Sequence, residues 1–249
     1  MVADAGIPFG PELREDWYRV RRVEGGGWTA SALRDADAIC VRSTTRVDAA
    51  LMAESRVRFV GTVTSGVDHL DLDFLRAAGV AVYHTPGANA VAVAEYVLAN
   101  LICLAPKPRP PGFSLGVIGV GNVGAAVARR AALVGISVQL HDPPRAAADD
   151  DFASASLEET LKADAVALHV PLNRDGTHPT ADLVDAAAIG RMRPGAILFN
   201  TARGGIVEES ACRAAAERGQ IRAVVDCWLG EPLVDRGLLA AAAVAISSP

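Results

Sequence analysis

Aromatic residues are scarce in this chain of 249 residues, only 5% of it, although hydrophobic residues make up 51%. An interior so poor in rings must be filled by Ala, Val and Leu, which suits buried parallel strands covered by helices. Cysteine is also sparse. Cys40, Cys103, Cys212 and Cys227 lie far apart with no CxxC or Cys/His metal spacing, so they read as plain thiols and not as a disulfide framework or a zinc site. The histidines, His69, His84, His141, His169 and His178, are scattered in the same way, and no metal is expected. Positive charge is in deficit, with a net charge of −5, which removes the global field that would attract nucleic acid or an anionic membrane. No apolar run reaches the roughly 18 residues needed to span a bilayer. The opening Met1-Val2-Ala3-Asp4 lacks the basic then apolar order of a signal peptide, so the cytoplasm is the default and no membrane partner is expected.

What is present is a rhythm. A chain of this length fits one large or two medium domains, and two are expected. Short apolar runs at 38–42, 57–61 and 80–84 alternate with helical patterns and read as parallel strands of α/β units; residues before Asp4 are too few for a full first strand. A long apolar-periodic segment at about 90–105 reads as a helix, with Asn89 as its N-cap. Pro106-Lys107-Pro108-Arg109-Pro110-Pro111-Gly112 cannot continue it, because proline lacks the donor and clashes with the preceding turn. The boundary is therefore placed there. Residues 1–105 are an incomplete, smaller, flavodoxin-like α/β substrate domain that includes the linking helix. Residues 106–249 are a second domain, with strands at 115–120, 137–141, 165–169, 196–200, 223–226 and 244–247, the pattern of a doubly wound (Rossmann) parallel sheet.

Gly119-Val120-Gly121-Asn122-Val123-Gly124 follows a strand pattern and opens a helical one, the context that a dinucleotide-binding turn requires. Gly119 permits the tight turn, Gly121 lets the main chain approach a pyrophosphate, and Gly124 allows close packing of helix on strand. The helix start, at Asn122 and Val123, offers free N–H groups and a partial positive charge to the anion. A lone glycine turn is weak evidence, since it also serves as a plain turn or holds S-adenosylmethionine. Here the next strand ends in His141-Asp142, eighteen residues past Gly124, where an acid accepts the ribose hydroxyls of the adenosine half and repels a 2′-phosphate. NAD is therefore expected over NADP. Asp142 before Pro143-Pro144 is also a natural turn residue, and the two roles are compatible.

The later strand ends carry Leu168-His169-Val170-Pro171-Leu172, Asn200-Thr201-Ala202-Arg203-Gly204-Gly205 and Asp226-Cys227-Trp228-Leu229-Gly230-Glu231-Pro232. Ligands of open α/β sheets bind at such ends. With the glycine turn, these segments resemble the D-2-hydroxyacid dehydrogenase family over essentially the whole second domain. Oxidising a 2-hydroxy acid needs a cation for the carboxylate, a base for the hydroxyl proton and a nicotinamide placed to receive hydride. The resemblance implies that Arg203 is the bidentate carboxylate clamp and that Glu231 hydrogen-bonds the catalytic imidazole and favours its protonated form. It also implies that Asp226 lies beside the nicotinamide, with Val170 and Ala202 lining the cofactor. Singly, Arg203 reads as a surface arginine and Asp226 as a strand-end acid; the set in this order carries the reading.

Val41-Arg42-Ser43-Thr44-Thr45, the segments 61–69 and 86–97, and Asp142-Pro143-Pro144-Arg145 resemble the branch of that family acting on 4-phosphoerythronate. That resemblance implies that Ser43 and Thr64 contact a small phosphorylated 2-hydroxy acid on the route to pyridoxal 5′-phosphate, with Arg42 adding charge nearby. Val170 departs from that branch, which often has threonine there. Competing readings are another member, of 3-phosphoglycerate or hydroxypyruvate type, and a non-catalytic NAD-binding module. By the same resemblance, the segment 244–249 leads into a loop whose histidine is the acid/base, beginning just past Pro249, and none of the five histidines matches it. The expectation is a chain truncated at both ends that binds cofactor with negligible turnover, and a homodimer at full length.

Overall fold

The computed structural model of the protein describes residues 1–10, 19–231 and 233–245, and the chain divides into two compact units, Met1–Ala88 and Asn89–Pro249. The first unit is a sheet of five parallel strands: β1 (Val2–Asp4), β2 (Arg21–Val23), β3 (Ala38–Val41), β4 (Phe59–Thr62) and β5 (Ala81–Tyr83), in the order β2-β1-β3-β4-β5. This is the order of flavodoxin-like sheets. Helices α1 (Ala30–Leu33) and α2 (Leu72–Ala77) connect strands, and Val2, Leu33, Ile39, Val41, Val60 and Leu75 form one core. Residues 2–4 make a short strand of three residues. Three residues suffice because β2 and β3 pair with both edges of β1 and bury its side chains.

The second unit begins with α3 (Ala90–Leu104) and continues through β6 (Ser114–Ile118), α4 (Asn122–Leu133), β7 (Ser137–His141), α5 (Pro143–Ala148), α6 (Leu157–Leu161) and β8 (Ala165–Leu168). It ends with α7 (Ala186–Arg191), β9 (Ala196–Asn200), α8 (Glu209–Glu217), β10 (Ile221–Val225), α9 (Arg236–Ala241) and β11 (Val244–Ala245). All six strands are parallel, in the order β7-β6-β8-β9-β10-β11. Alternate side chains leave the sheet on opposite faces. Leu115, Val117, Ala167, Ile197 and Phe199 pack with α3 and α4, whereas Ile118, Val166, Leu168, Leu198 and Val225 pack with α6 to α9. Both faces are therefore buried along β6, β8 and β9, which explains why the core of the sheet reads as continuous apolar runs. The remainder of the expected last strand, 246–247, lies outside the described residues.

The domain boundary falls at Ala88/Asn89 and not at the proline-rich run. Ala94, Val97, Leu98 and Leu101 of α3 share a core with Leu115, Val117, Val127 and Ala131, so burial assigns the helix to the second sheet; each such side chain is worth about 1.5–3 kcal/mol for a Val or Leu. The prolines end the helix, as their chemistry requires, without ending the unit. Asn89 occupies the N-cap position, but its side chain makes no capping bond there. Chain order reverses at β6, which has β7 on one side and β8 on the other; the crevice at the C-terminal ends of such neighbours is where open α/β sheets bind ligands. Among the described residues no helix is long and apolar enough to cross a membrane.

Candidate functional site

The glycine turn between β6 and α4 is shaped by three different demands. Gly119 has φ +87°, and a Cβ there would lie 2.7 Å from Val170 Cγ1 and from the carbonyl carbon of His169. Its N–H donates to the His141 carbonyl at 2.9 Å, and the His169 N–H donates to the Ile118 carbonyl at 2.8 Å. A Cβ on Gly124 would lie 1.9 Å from the Gly119 carbonyl oxygen, so α4 packs directly against its own turn. Gly121 meets nothing within 4 Å; the protein leaves that space open. The turn borders a depression of about 600 Å³ lined by Val120, Gly121, Asn122, Arg129 and Arg145, among others. Asn122 and Val123 start α4, with Asn122 exposed and Val123 resting on the core. A cradle of this form fits a pyrophosphate.

Asp142 ends β7 and caps α5. Its Oδ1 accepts the Arg145 N–H at 3.0 Å and its Oδ2 accepts the Val120 N–H at 2.7 Å. Each carboxylate oxygen keeps lone-pair capacity for a ribose hydroxyl. Arg145 completes the arrangement. Its Nη1 donates to the Val120 carbonyl at 2.9 Å, its Nε and Nη2 lie 3.4 Å and 3.3 Å from Asp149 Oδ2, and its Cζ sits 4.5 Å from the centre of the Phe152 ring. Arg145 is not among the candidates expected from sequence; its signal is its place three residues past the capping aspartate.

The two later loops interlock main chain to main chain. A Cβ on Gly204 would lie 2.1 Å from the Trp228 carbonyl oxygen and 2.5 Å from the Leu229 nitrogen. Asn200, buried at the end of β9, donates through Nδ2 to the carbonyls of Arg203 at 3.0 Å and Cys227 at 3.3 Å, while its own carbonyl accepts the Asp226 N–H at 3.0 Å. Asn200 too is absent from the sequence-derived candidates, although a lone amide closing the run Ala-Ile-Leu-Phe signals it. Glu231 Oε1 accepts the Trp228 N–H at 2.8 Å, and Glu209 Oε1 accepts the Leu229 N–H at 2.6 Å. Arg203 Nη1 donates to the carbonyl of buried Ala202 at 2.7 Å. Parallel strands thus bring Gly119, Asp142, Val170, Arg203, Asp226 and Glu231 to segments that follow the C-terminal ends of the strands of one sheet.

Burial, and secondly the negative charge of Glu231, raise the Asp226 carboxyl above the usual range. Burial and then Asp226 push the Cys227 thiol up to about 12, which rules it out as a nucleophile at neutral pH. Tyr96 of α3 is raised by burial and then by Asp226, and its buried hydroxyl has no hydrogen-bond partner among the described residues. Burial drives His169 down to about 4. Its Nε2 is buried and unpartnered among the described residues, and its Nδ1 lies 3.4 Å from Thr201 Oγ1. An imidazole that stays neutral across the physiological range cannot cycle as a proton carrier there.

In the first unit, Ser43 and Thr64 follow the adjacent parallel strands β3 and β4 and so share one end of that sheet. Ser43 is exposed. Thr64 is committed inward: its hydroxyl donates to the Gly66 carbonyl at 2.7 Å and contacts Thr62 Oγ1 at 2.7 Å, which contacts His69 Nε2 at 3.1 Å. Because the Thr64 proton is used, Thr62 must donate to it, and His69 must donate to Thr62 from Nε2–H. Arg42, the residue before Ser43, is anchored by an ion pair. Its Nε is 2.8 Å from Asp4 Oδ1, on a carboxylate whose side chain is only 5% exposed.

Among the described residues no group of three His, Cys, Asp or Glu side chains could hold a metal ion. Residues 105–249 match the family described as D-isomer specific 2-hydroxyacid dehydrogenase, NAD binding domain. The chain is 42% identical over 242 residues to the erythronate-4-phosphate dehydrogenase of Chromohalobacter salexigens, covering 96% of this chain and 63% of that protein. It is 44% identical to the protein of that name from Salinibacter ruber, covering 97% and 64%. The chain therefore spans just under two thirds of these relatives' length. Among solved structures, the TT0316 protein of Thermus thermophilus is similar at 30% identity and a TM-score of 0.81, covering 96% of this chain and 85% of that one. A D-lactate dehydrogenase from Aquifex aeolicus, complexed with NAD and lactic acid, shares the fold at 23% identity and a TM-score of 0.79, covering 96% of this chain and 83% of that one.

Proposed function

The chain belongs to the D-isomer specific 2-hydroxyacid dehydrogenase family, its second unit being the NAD-binding domain, and from that premise we propose that it oxidises 4-phosphoerythronate at C2, on the route to pyridoxal 5′-phosphate. The observation that carries the dehydrogenase reading is the interlock of the loops bearing Arg203 and Glu231, built on Asn200 and Gly204, at the same C-terminal end of the strands as the glycine cradle. The choice of substrate rests on the relatives' name and on their match to both units.

In this reading Arg203 presents its planar fork to the substrate carboxylate, holding C2 in one orientation. Glu231, fixed by the Trp228 N–H, orients an acid/base imidazole and stabilises its protonated form. The bound NAD supplies the hydride acceptor. Gly119, Gly121, Asn122, Val123 and Gly124 hold its pyrophosphate, Asp142 its adenosine ribose, and Val170, Ala202 and Asp226 its nicotinamide half. The first unit is the substrate domain, with Ser43 and Thr64 as contacts to the phosphorylated acid. Homodimer assembly is supported by Val91 and Ile102, apolar residues of α3 that are 51% and 49% exposed, and light scattering tests it.

The deciding experiment supplies the full-length protein with NAD and, in turn, 4-phosphoerythronate, erythronate and 3-phosphoglycerate, and with NADH and hydroxypyruvate, following NADH absorbance. The expected result is kcat/KM highest for 4-phosphoerythronate by at least about 100-fold, the size of a lost charged contact or two. Preference for another acid reassigns the substrate. NADH binding without turnover of any of them makes the protein a cofactor-binding module.

A further inference from the structure

We infer that Arg145 is a latent ligand for a ribose 2′-phosphate, and that Asp149 acts with Asp142 to keep the site selective for a cofactor whose hydroxyl is free. The inference rests on the proposed placement of the adenosine ribose at Asp142. Arg145 and Asp142 bracket a single residue of the glycine turn: the guanidinium holds the Val120 carbonyl at 2.9 Å and the carboxylate holds the Val120 N–H at 2.7 Å. The cation therefore stands at the same end of the cradle as the acid that faces the ribose. Its Nη1 is used on Val120, while the Nε/Nη2 fork, the part whose geometry matches a phosphate, is turned onto Asp149 at 3.4 Å and 3.3 Å.

The balance of charge makes the arrangement a selector. Arg145 and Arg129 both line the depression beside the glycine turn, and Asp142 and Asp149 are the acids bonded around Arg145. With both acids present, a 2′-phosphate meets one carboxylate directly and a guanidinium already engaged. The Arg145–Asp149 pair is an i,i+4 contact with both side chains 40% exposed, so it is weak and readily exchanged. The Phe152 ring, 4.5 Å from Arg145 Cζ, and the Val120 carbonyl are supports for the guanidinium that do not involve Asp149. An arginine near the ribose is the general means by which these folds accept a 2′-phosphate; here one is present and tethered.

The test is fluorescence titration of NADH and NADPH into the full-length protein and into the variants Asp149→Asn, Asp149→Asn/Arg145→Leu and Asp142→Ser, with thermal unfolding of each. Asp149→Asn should tighten NADPH by about 3-fold, the size of one exposed ion pair, with NADH changed less than about 1.5-fold. Arg145→Leu in that background should abolish the gain. An unchanged NADPH affinity in a folded Asp149→Asn protein, or a gain that survives Arg145→Leu, overturns the inference. Failure of the unaltered protein to bind NADH would instead overturn the cofactor reading, and an unchanged NADPH/NADH ratio in Asp142→Ser would overturn the ribose placement.

Discussion

The two units place their candidate residues by different physical means. In the second unit the site is made of main chain. Gly119, Gly124 and Gly204 sit where a Cβ would fall within 1.9–2.7 Å of backbone atoms, and Asn200 ties two loops through their carbonyls. In the first unit the candidates are hydroxyls. Ser43 is exposed, and Thr64 belongs to a chain of bonds running from His69 through Thr62 to Gly66. A site built on backbone contacts tolerates almost no substitution at its glycines, and so it leaves a rigid pattern in the sequence. A site built on hydroxyls leaves a composition that many surface turns share.

The sharpest way to break this contrast is at the glycine turn. Gly119→Ala should destabilise the second unit by about 3–4 kcal/mol, from a left-handed φ and a backbone clash together, read by urea unfolding. Gly121→Ala should leave stability within about 0.5 kcal/mol, as an unobstructed site allows, yet weaken NADH at least 10-fold. Equal unfolding midpoints for the two variants would remove the distinction between a glycine set by the protein and one set by the ligand.

A second test uses acid. His169, held down to about 4, binds its proton more weakly in the folded chain than in the unfolded one, whose ordinary value is about 6.5. Stability is therefore complete above about pH 6.5 and falls as pH drops toward 4, by up to about 3 kcal/mol. Urea midpoints measured from pH 7.5 to 4.5 should decline more steeply for the unaltered protein than for His169→Gln; parallel curves would mean the imidazole titrates normally. Asn200→Leu comes next, at about 2 kcal/mol, because it strips two loop carbonyls of their donor, and it should weaken NADH as well as lower the unfolding midpoint. Smallest is the first unit: Thr64→Val should cost about 1 kcal/mol, the worth of one internal hydrogen bond, whereas Ser43→Ala should change stability by less than about 0.5 kcal/mol. If Ser43→Ala proved the more destabilising, the hydroxyl chain would not be the structural element.

Much of this was legible in the residues. The inner strands β6, β8 and β9 of the second sheet are legible because both of their faces are buried, leaving apolar runs between turn residues, and the glycine turn is legible because Gly119 and Gly124 each answer a separate steric demand. The proline run misplaced the boundary: it marks where a helix must stop, whereas the packing of Ala94, Val97 and Leu101 against Leu115 and Val127 decides which unit owns that helix. The strand at Val2–Asp4 was invisible because three residues carry no period; its partners, more than fifteen residues away in sequence, create it.

By itself, then, the sequence determined the α/β class, the two-unit division, the cofactor cradle and the identity of Arg203, Asp226 and Glu231 as residues at strand ends, since these follow from local periodicity and from spacing along one chain. Only the tertiary structure decided what those residues touch. That Asn200 joins the loop after its own strand to the loop at Cys227, that Asp4 pairs with Arg42 and that burial neutralises His169 all depend on groups distant in sequence or on the exclusion of water. Neither distance through space nor desolvation leaves a trace in local order, because both arise only when the sheets close and the helices cover them.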